Sequence, residues 1–89
     1  MRAVITVVGK DMVGILAKVS ALCSECNVNV IEVSQSILQD MFCMIMLVDM
    51  SKINTEFASF SDRLTAEGDR MNLVIHVMHE DVFNTMHHI

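Results

Sequence analysis

Apolar and polar positions along this chain switch between a period of about two and a period of about 3.6 residues, and the switches predict a succession of strands and helices. Residues 2–8 are β-branched or apolar at nearly every position, the pattern of a central strand covered on both faces. Gly9 ends it. After Gly14, apolar residues fall at Ile15, Leu16, Val19, Leu22, Cys23 and Cys26, one continuous helical stripe. A helix is therefore predicted over residues 13–26, with Lys18, Ser20, Ser24 and Glu25 on its polar side and Asn27 as a left-handed stop. Residues 28–38 follow as a second strand. There Ile31, Val33, Gln35 and Ile37 alternate with Glu32, Ser34 and Ser36, the half-buried pattern of an edge. Gln39 and Asp40 turn the chain into residues 41–48, apolar throughout, so these two strands form a hairpin.

Ile53, Phe57, Phe60 and Leu64 lie on one helical face and predict a second helix over residues 54–67, with Asn54 or Thr55 as N-cap and Gly68 as its stop. Residues 71–78 alternate again, with Leu73, Ile75 and Val77 on one face and Asn72, Val74 and His76 on the other. Val82, Phe83 and Met86 predict a short helix within residues 80–89. Strand, helix, strand, strand, helix, strand is the order of a ferredoxin-like βαββαβ sandwich of the α+β class: a four-stranded antiparallel sheet with both helices on one face. In that topology the first and third strands are central, and they are the two most continuously apolar segments here. The opposite sheet face is left open and is expected to carry Val4, Val8, Met44, Met46 and Val74 or their neighbours. One domain over residues 1–89 is expected, with a core over 1–78 and a C-terminal extension over 79–89.

Composition sharpens this picture. Of 89 residues, 53% are hydrophobic, and the mean hydropathy is +0.49, high for a chain whose size leaves it only a modest core. Spanning a membrane takes about 20 consecutive apolar residues, and the longest uninterrupted run, residues 41–48, has eight. Self-association is the expected outlet, as a homodimer or higher assembly, and nine methionines suit a surface that adapts to a partner. The net charge of −5 argues against nucleic acid, whose phosphates call for a basic stripe. The N-terminal residues enter a strand pattern at once, without the signature of a signal peptide. Three cysteines, few and odd in number, fit a reducing cytoplasm.

The stretch with the form of a binding site is Gly9-Lys10-Asp11-Met12-Val13-Gly14. A strand feeding a glycine-bracketed loop and then a helix leaves backbone N–H groups without intrahelical partners, at the positive end of the helix dipole. A carboxylate suits that position. Asp11 either caps the helix or takes the ammonium group of a zwitterion. Asn29, opening the second strand, lies near the far end of the same helix and becomes a ligand only when a neighbouring subunit brings it to the loop. Other groupings carry less. Cys23-Ser-Glu-Cys26 is a C-x-x-C, yet both cysteines lie on the buried stripe at a helix C-terminus, where a thiolate is disfavoured, so core packing is the simpler reading. Cys43, within a strand, reads as structural. His76, His79, His87 and His88 cluster near the C-terminus without an acidic or cysteine ligand at a metal-binding spacing. No catalytic arrangement, resident metal or cofactor is expected.

The residues Val7-Val-Gly-Lys-Asp-Met-Val-Gly-Ile-Leu16, Val19-Ser-Ala-Leu22 and Asn27-Val-Asn-Val-Ile31 resemble the ACT domain. The resemblance is closest to the small free-standing ACT proteins related to the glycine-cleavage regulator and to the front domain of formyltetrahydrofolate deformylase. Val82-Phe-Asn-Thr-Met-His87 is similar to the ending of that free-standing group. The resemblance implies the same βαββαβ fold, homo-oligomers, and an amino acid or other small ligand bound between subunits. By position it implies that Asp11 contacts a ligand amino group, that Gly14 lets the helix start approach the ligand, and that Asn29 contributes an amide across the interface. Many members carry arginine or lysine and then proline before this glycine, whereas Met12 and Val13 stand here. That departure removes a charge and makes the loop more apolar. Two other readings stand beside a ligand-binding regulatory module. One is an interaction module that docks onto an enzyme or regulator without a ligand of its own; the other is a redox or metal role for the cysteines and histidines.

Overall fold

A computed structural model of the chain describes residues 1–10 and 13–86. Asp11, Met12, His87, His88 and Ile89 lie outside the described residues. The elements run β1 (Arg2–Gly9), α1 (Ile15–Glu25), β2 (Asn29–Leu38), β3 (Met41–Asp49), α2 (Phe57–Met71), β4 (Val74–His79) and α3 (Glu80–Met86). The strands form one antiparallel sheet in the order β2-β3-β1-β4. This is the ferredoxin-like arrangement, with the two most continuously apolar strands at its centre.

The core lies between the sheet and the two long helices. β1 sends Ala3, Ile5 and Val7 into it, paired across the ladder with Val48, Met46 and Met44 of β3. α1 adds Ile15, Val19 and Cys23, and α2 adds Phe60 and Leu64, each set at helical spacing. Met44 and Met46 are therefore core residues, not open-face residues. The register of β3 is set by its pairing with β1, and stepping one residue along a strand exchanges its faces. The open face instead carries Val4, Val8, Cys43, Ile45, Leu47, Val74 and Met78 by alternation. On it Val4 is 3% exposed, while Ile45 and Val74 are 41% and 57% exposed.

β2 departs from simple alternation. Val30 pairs with Val48 and Glu32 with Leu47, so Ile31 is the extra residue of a β-bulge. The bulge turns Val30 and Val33 toward the core and leaves Ile31 exposed. Past Val33, residues 34–38 are exposed on both sides, so β2 outruns the helix layer.

Both helix ends rest on asparagine, with one surprise. After α1, Asn27 takes φ 59, and the N–H groups of Asn27 and Val28 donate back to the carbonyls of Ser24 and Cys23, a left-handed helix stop. After α2, Asn72 takes φ 58, and the Leu73 N–H donates to the Gly68 carbonyl at 2.8 Å. Gly68 thus lies inside α2, buried, and does not end it. Its lack of a side chain admits β4, since a Cβ there would lie 2.9 Å from Ile75 Cγ1. Neither Asn54 nor Thr55 caps α2, whose N-cap is Glu56 in extended backbone. Asn54 serves α1 instead: its Nδ2 donates to the Glu25 carbonyl at 2.9 Å, and its N–H donates to the Cys26 carbonyl at 3.0 Å. β4 accordingly begins at Val74, after the helix that takes Met71. Among the described residues no helix is long and apolar enough to cross a membrane.

Candidate functional site

The 9–14 loop joins β1 to α1. Gly9 closes β1 opposite Phe42, packed so closely that a Cβ on it would lie 2.1 Å from Leu73 Cδ2. Lys10 is exposed, with its ammonium 3.9 Å from the Asp40 carboxylate in the β2–β3 turn. Val13 is 81% exposed. Gly14 is the N-cap of α1 at φ 75, a left-handed conformation that a side chain disfavours. Its carbonyl accepts the first helical bond, from the Lys18 N–H at 3.0 Å. Gly14 has no side chain with which to cap, and the first turn of α1 contains no acidic residue. Among the described residues no side chain caps the start of α1, an end whose partial positive charge suits an anion. The roles expected of Asp11 and Met12 fall outside the described residues.

Asn29 opens β2 opposite Asp49, at the other end of the sheet. From the Gly9–Phe42 row to the Arg2–Asp49 row the ladder advances seven residues, roughly 23 Å at the rise of a strand. Within one chain the structure therefore separates the two parts of the expected site. Asn29 does not stand alone, however. It lines a cleft of about 540 Å³ together with Ser20 and Ser24 of α1, Asp49 at the end of β3, and Ser51 and Lys52 just beyond it.

Hydrogen bonds hold the wall formed by residues 49–52. The Ser51 N–H donates to Asp49 Oδ1 at 2.9 Å, and Asn27 Nδ2 donates to the Lys52 carbonyl at 2.8 Å. The Ser51 amide, followed by its side chain, holds the Asp49 carboxyl below its ordinary pKa, so it stays charged. The sequence pattern did not single out Asp49, Ser51 or Lys52. The available signal was Asp49-Met-Ser51 immediately after a strand, the local arrangement in which an aspartate accepts from a nearby backbone N–H.

The cysteines belong to the helix packing. Cys23 and Cys26 are each 1% exposed, and Arg63 of α2 donates from Nη1 to Cys26 Sγ at 3.2 Å while its Nη2 pairs with Glu25. Burial first, and the neighbouring Cys26 second, push the Cys23 thiol up to about 11, away from a reactive thiolate. Cys43 is half-buried on the open face. His76 is exposed, and His79 Nδ1 accepts from the Asp81 N–H at 3.3 Å. Among the described residues, no group of three or more histidine, cysteine or acidic side chains is placed to hold a metal ion.

The central antiparallel sheet, two helices on one face and glycine-bracketed helix start fit the small regulatory-type α+β domains that the sequence resembles. The sequence matches the ACT domain over residues 2–78, and this chain belongs to the ACT domain family. A UPF0237 protein of Listeria innocua is 46% identical over 87 residues, covering 98% of each chain. An ACT domain protein from Streptococcus pneumoniae superposes with a TM-score of 0.81 at 35% identity, covering 93% of each chain. A putative glycine cleavage system transcriptional repressor superposes with a TM-score of 0.70 at 26% identity, over 85% of this chain and 43% of that one.

Proposed function

We propose that this protein is a non-catalytic regulatory ACT module, homo-oligomeric in the cytoplasm, that binds an amino acid or similar small ligand at a subunit interface. The 9–14 loop of one subunit, with Asp11 toward the ligand's ammonium group and the α1 start toward its carboxylate, would face Asn29 of another subunit. The observation that carries this reading is the separation of the loop and Asn29 at opposite ends of one sheet, so that only two copies bring them together. β2 is an outer strand of the sheet with its far side unpaired, which favours association through it. Two such edges meeting antiparallel about a twofold axis bring the Asn29 end of one copy toward the hairpin turn of the other, where Asp40 neighbours the loop residue Lys10. A regulatory role is supported by the similarity to a putative transcriptional repressor of the glycine cleavage system.

Titration calorimetry across the twenty amino acids tests the reading. Wild type is expected to bind at least one of them at millimolar levels or tighter, with binding lost in both Asp11→Ala and Asn29→Ala. Subunit mixing then tests the shared site. In a dimer with two composite sites, co-refolding equal amounts of the two variants restores about a quarter of the sites, because each mixed dimer keeps one intact pair. No recovery, or no binding by wild type, refutes a ligand shared between subunits. The exposed Val13, Ile45 and Val74 favour the second reading, an interaction module acting on an enzyme or regulator. Recovery of a stoichiometric protein partner that is lost with Val74→Glu, in the absence of any small ligand, would select it.

A further inference from the structure

From the cleft we infer that Lys52 joins the α1 start of the neighbouring subunit at the ligand's carboxylate and supplies the full positive charge there. This rests on the reading above, in which Asn29 meets the loop of a neighbouring subunit. The six cationic side chains of the chain are few for a net charge of −5, and a carboxylate approaching such a surface is repelled unless a cation is close. Four of the six are already engaged among the described residues: Arg2 with Glu80, Lys10 with Asp40, Arg63 with Glu25 and Arg70 with Glu67. Lys18 and Lys52 remain.

Lys10 is the cation of the loop itself, and it is turned toward Asp40. Lys18 sits on the exposed side of α1 and does not line the cleft. Lys52 does line it, alongside the Asn29 amide. Its backbone is held from two sides, by the Asp49–Ser51 bond just before it and by the Asn27 side chain on its own carbonyl. Because the Ser51 amide engages the Asp49 carboxylate, the neighbouring acid is partly satisfied without Lys52. A held backbone that bears a lysine in the cleft Asn29 also lines suits a carboxylate, which accepts both from an ammonium and from the NH2 of a side-chain amide.

Lys52→Met, Lys52→Arg and Lys18→Met test this by titration with the tightest-binding amino acid of the wild type and with its carboxamide, which lacks the charge. Circular dichroism checks folding, which Lys52→Met preserves because only the backbone of Lys52 is used internally. Lys52→Met is expected to weaken amino-acid binding by about tenfold or more, the scale of a charge-assisted hydrogen bond, and to leave carboxamide binding unchanged. Lys52→Arg restores most of the affinity, and Lys18→Met has no effect. Binding by Lys52→Met within about twofold of wild type overturns the inference; if Asp11→Ala and Asn29→Ala still abolish binding, the interface reading survives it. Weakening by Lys52→Met without any effect of Asp11→Ala supports the inference and refutes the shared site. Absence of amino-acid binding by wild type overturns both.

Discussion

Replacing Gly68 with alanine sets two effects of known size against each other. In an exposed helix interior the change stabilises by about 1 kcal/mol, because alanine loses less backbone entropy than glycine. Here the added methyl would stand 2.9 Å from Ile75 Cγ1, 3.0 Å from the Leu73 carbonyl oxygen and 3.1 Å from Ile75 Cδ1. The nearest atoms belong to the inner part of a buried side chain and to backbone. That backbone cannot drift away freely, because the Leu73 N–H is bonded to the Gly68 carbonyl at 2.8 Å. Forcing an extra methyl into a packed contact costs roughly 1–3 kcal/mol, which exceeds the gain in propensity at its midpoint. A net loss of about 1 kcal/mol is expected, or a fall in Tm of about 4–8 °C for a domain of this size. The chain has no tryptophan or tyrosine, so urea unfolding is followed by far-UV circular dichroism, at one protein concentration because association adds to apparent stability. Ile75→Ala removes both of the close Ile75 atoms, so Gly68→Ala should cost about 1 kcal/mol less in that background, as a double-mutant cycle measures. A Gly68→Ala protein more stable than wild type, or strict additivity with Ile75→Ala, would refute the close-approach argument.

Two further changes probe the site and the core. Gly14→Ala meets no atom within 4 Å but must hold φ 75, so it should destabilise by about 1–2 kcal/mol through backbone strain alone. Gly14→Asn should cost distinctly less, and equal losses in urea melts would count against strain as the cause. Burial holds the Cys23 proton up to about 11 against an ordinary 9.0. Between those values the unfolded chain has released a proton that the folded chain retains. The Cys23 contribution to stability is therefore full below pH 9.0 and is lost as pH rises toward about 11. Under reducing conditions Cys23→Ala should show a shallower decline in stability across that window than wild type, and parallel declines would be inconsistent with a buried, protonated thiol.

The fold was legible because its signals were repeated over many residues. Continuous apolar runs identified the central strands, and the stripe from Ile15 to Cys26 identified α1. The errors have a common physical origin. Asn54 and Gly68 both carry strong local preferences, one for a helix start and one for a helix stop, and tertiary structure uses each for another element. Asn54 reaches back to the last carbonyls of α1, and Gly68 makes room for Ile75 as β4 folds over α2. Met44 and Met46 were misplaced for a related reason. An unbroken apolar strand contains no alternation from which to read its facing, and only pairing with β1 fixes it. In β2 the alternation was real, but the bulge at Ile31 reversed it on one side.

The same distinction separates the two parts of the candidate site. Gly14 could be read locally, since its left-handed angle is a property of one residue and the helix start follows from the stripe behind it. Asn29 could be placed from the strand it opens. Lys52 could not be read in that way, because nothing adjacent to it in sequence brings it to Asn29. Its place comes from the Asn27 side chain, which extends past the end of α1 to the Lys52 carbonyl, and from the pairing of Asn29 with Asp49. The left-handed turn that ends α1 thus also anchors the wall of the cleft. Losing the Asn27 amide would release the hold on the Lys52 carbonyl, while strand pairing still fixes Asp49 and the Met1 carbonyl still fixes Met50, so the part of the cleft wall that carries Lys52 depends on a helix stop.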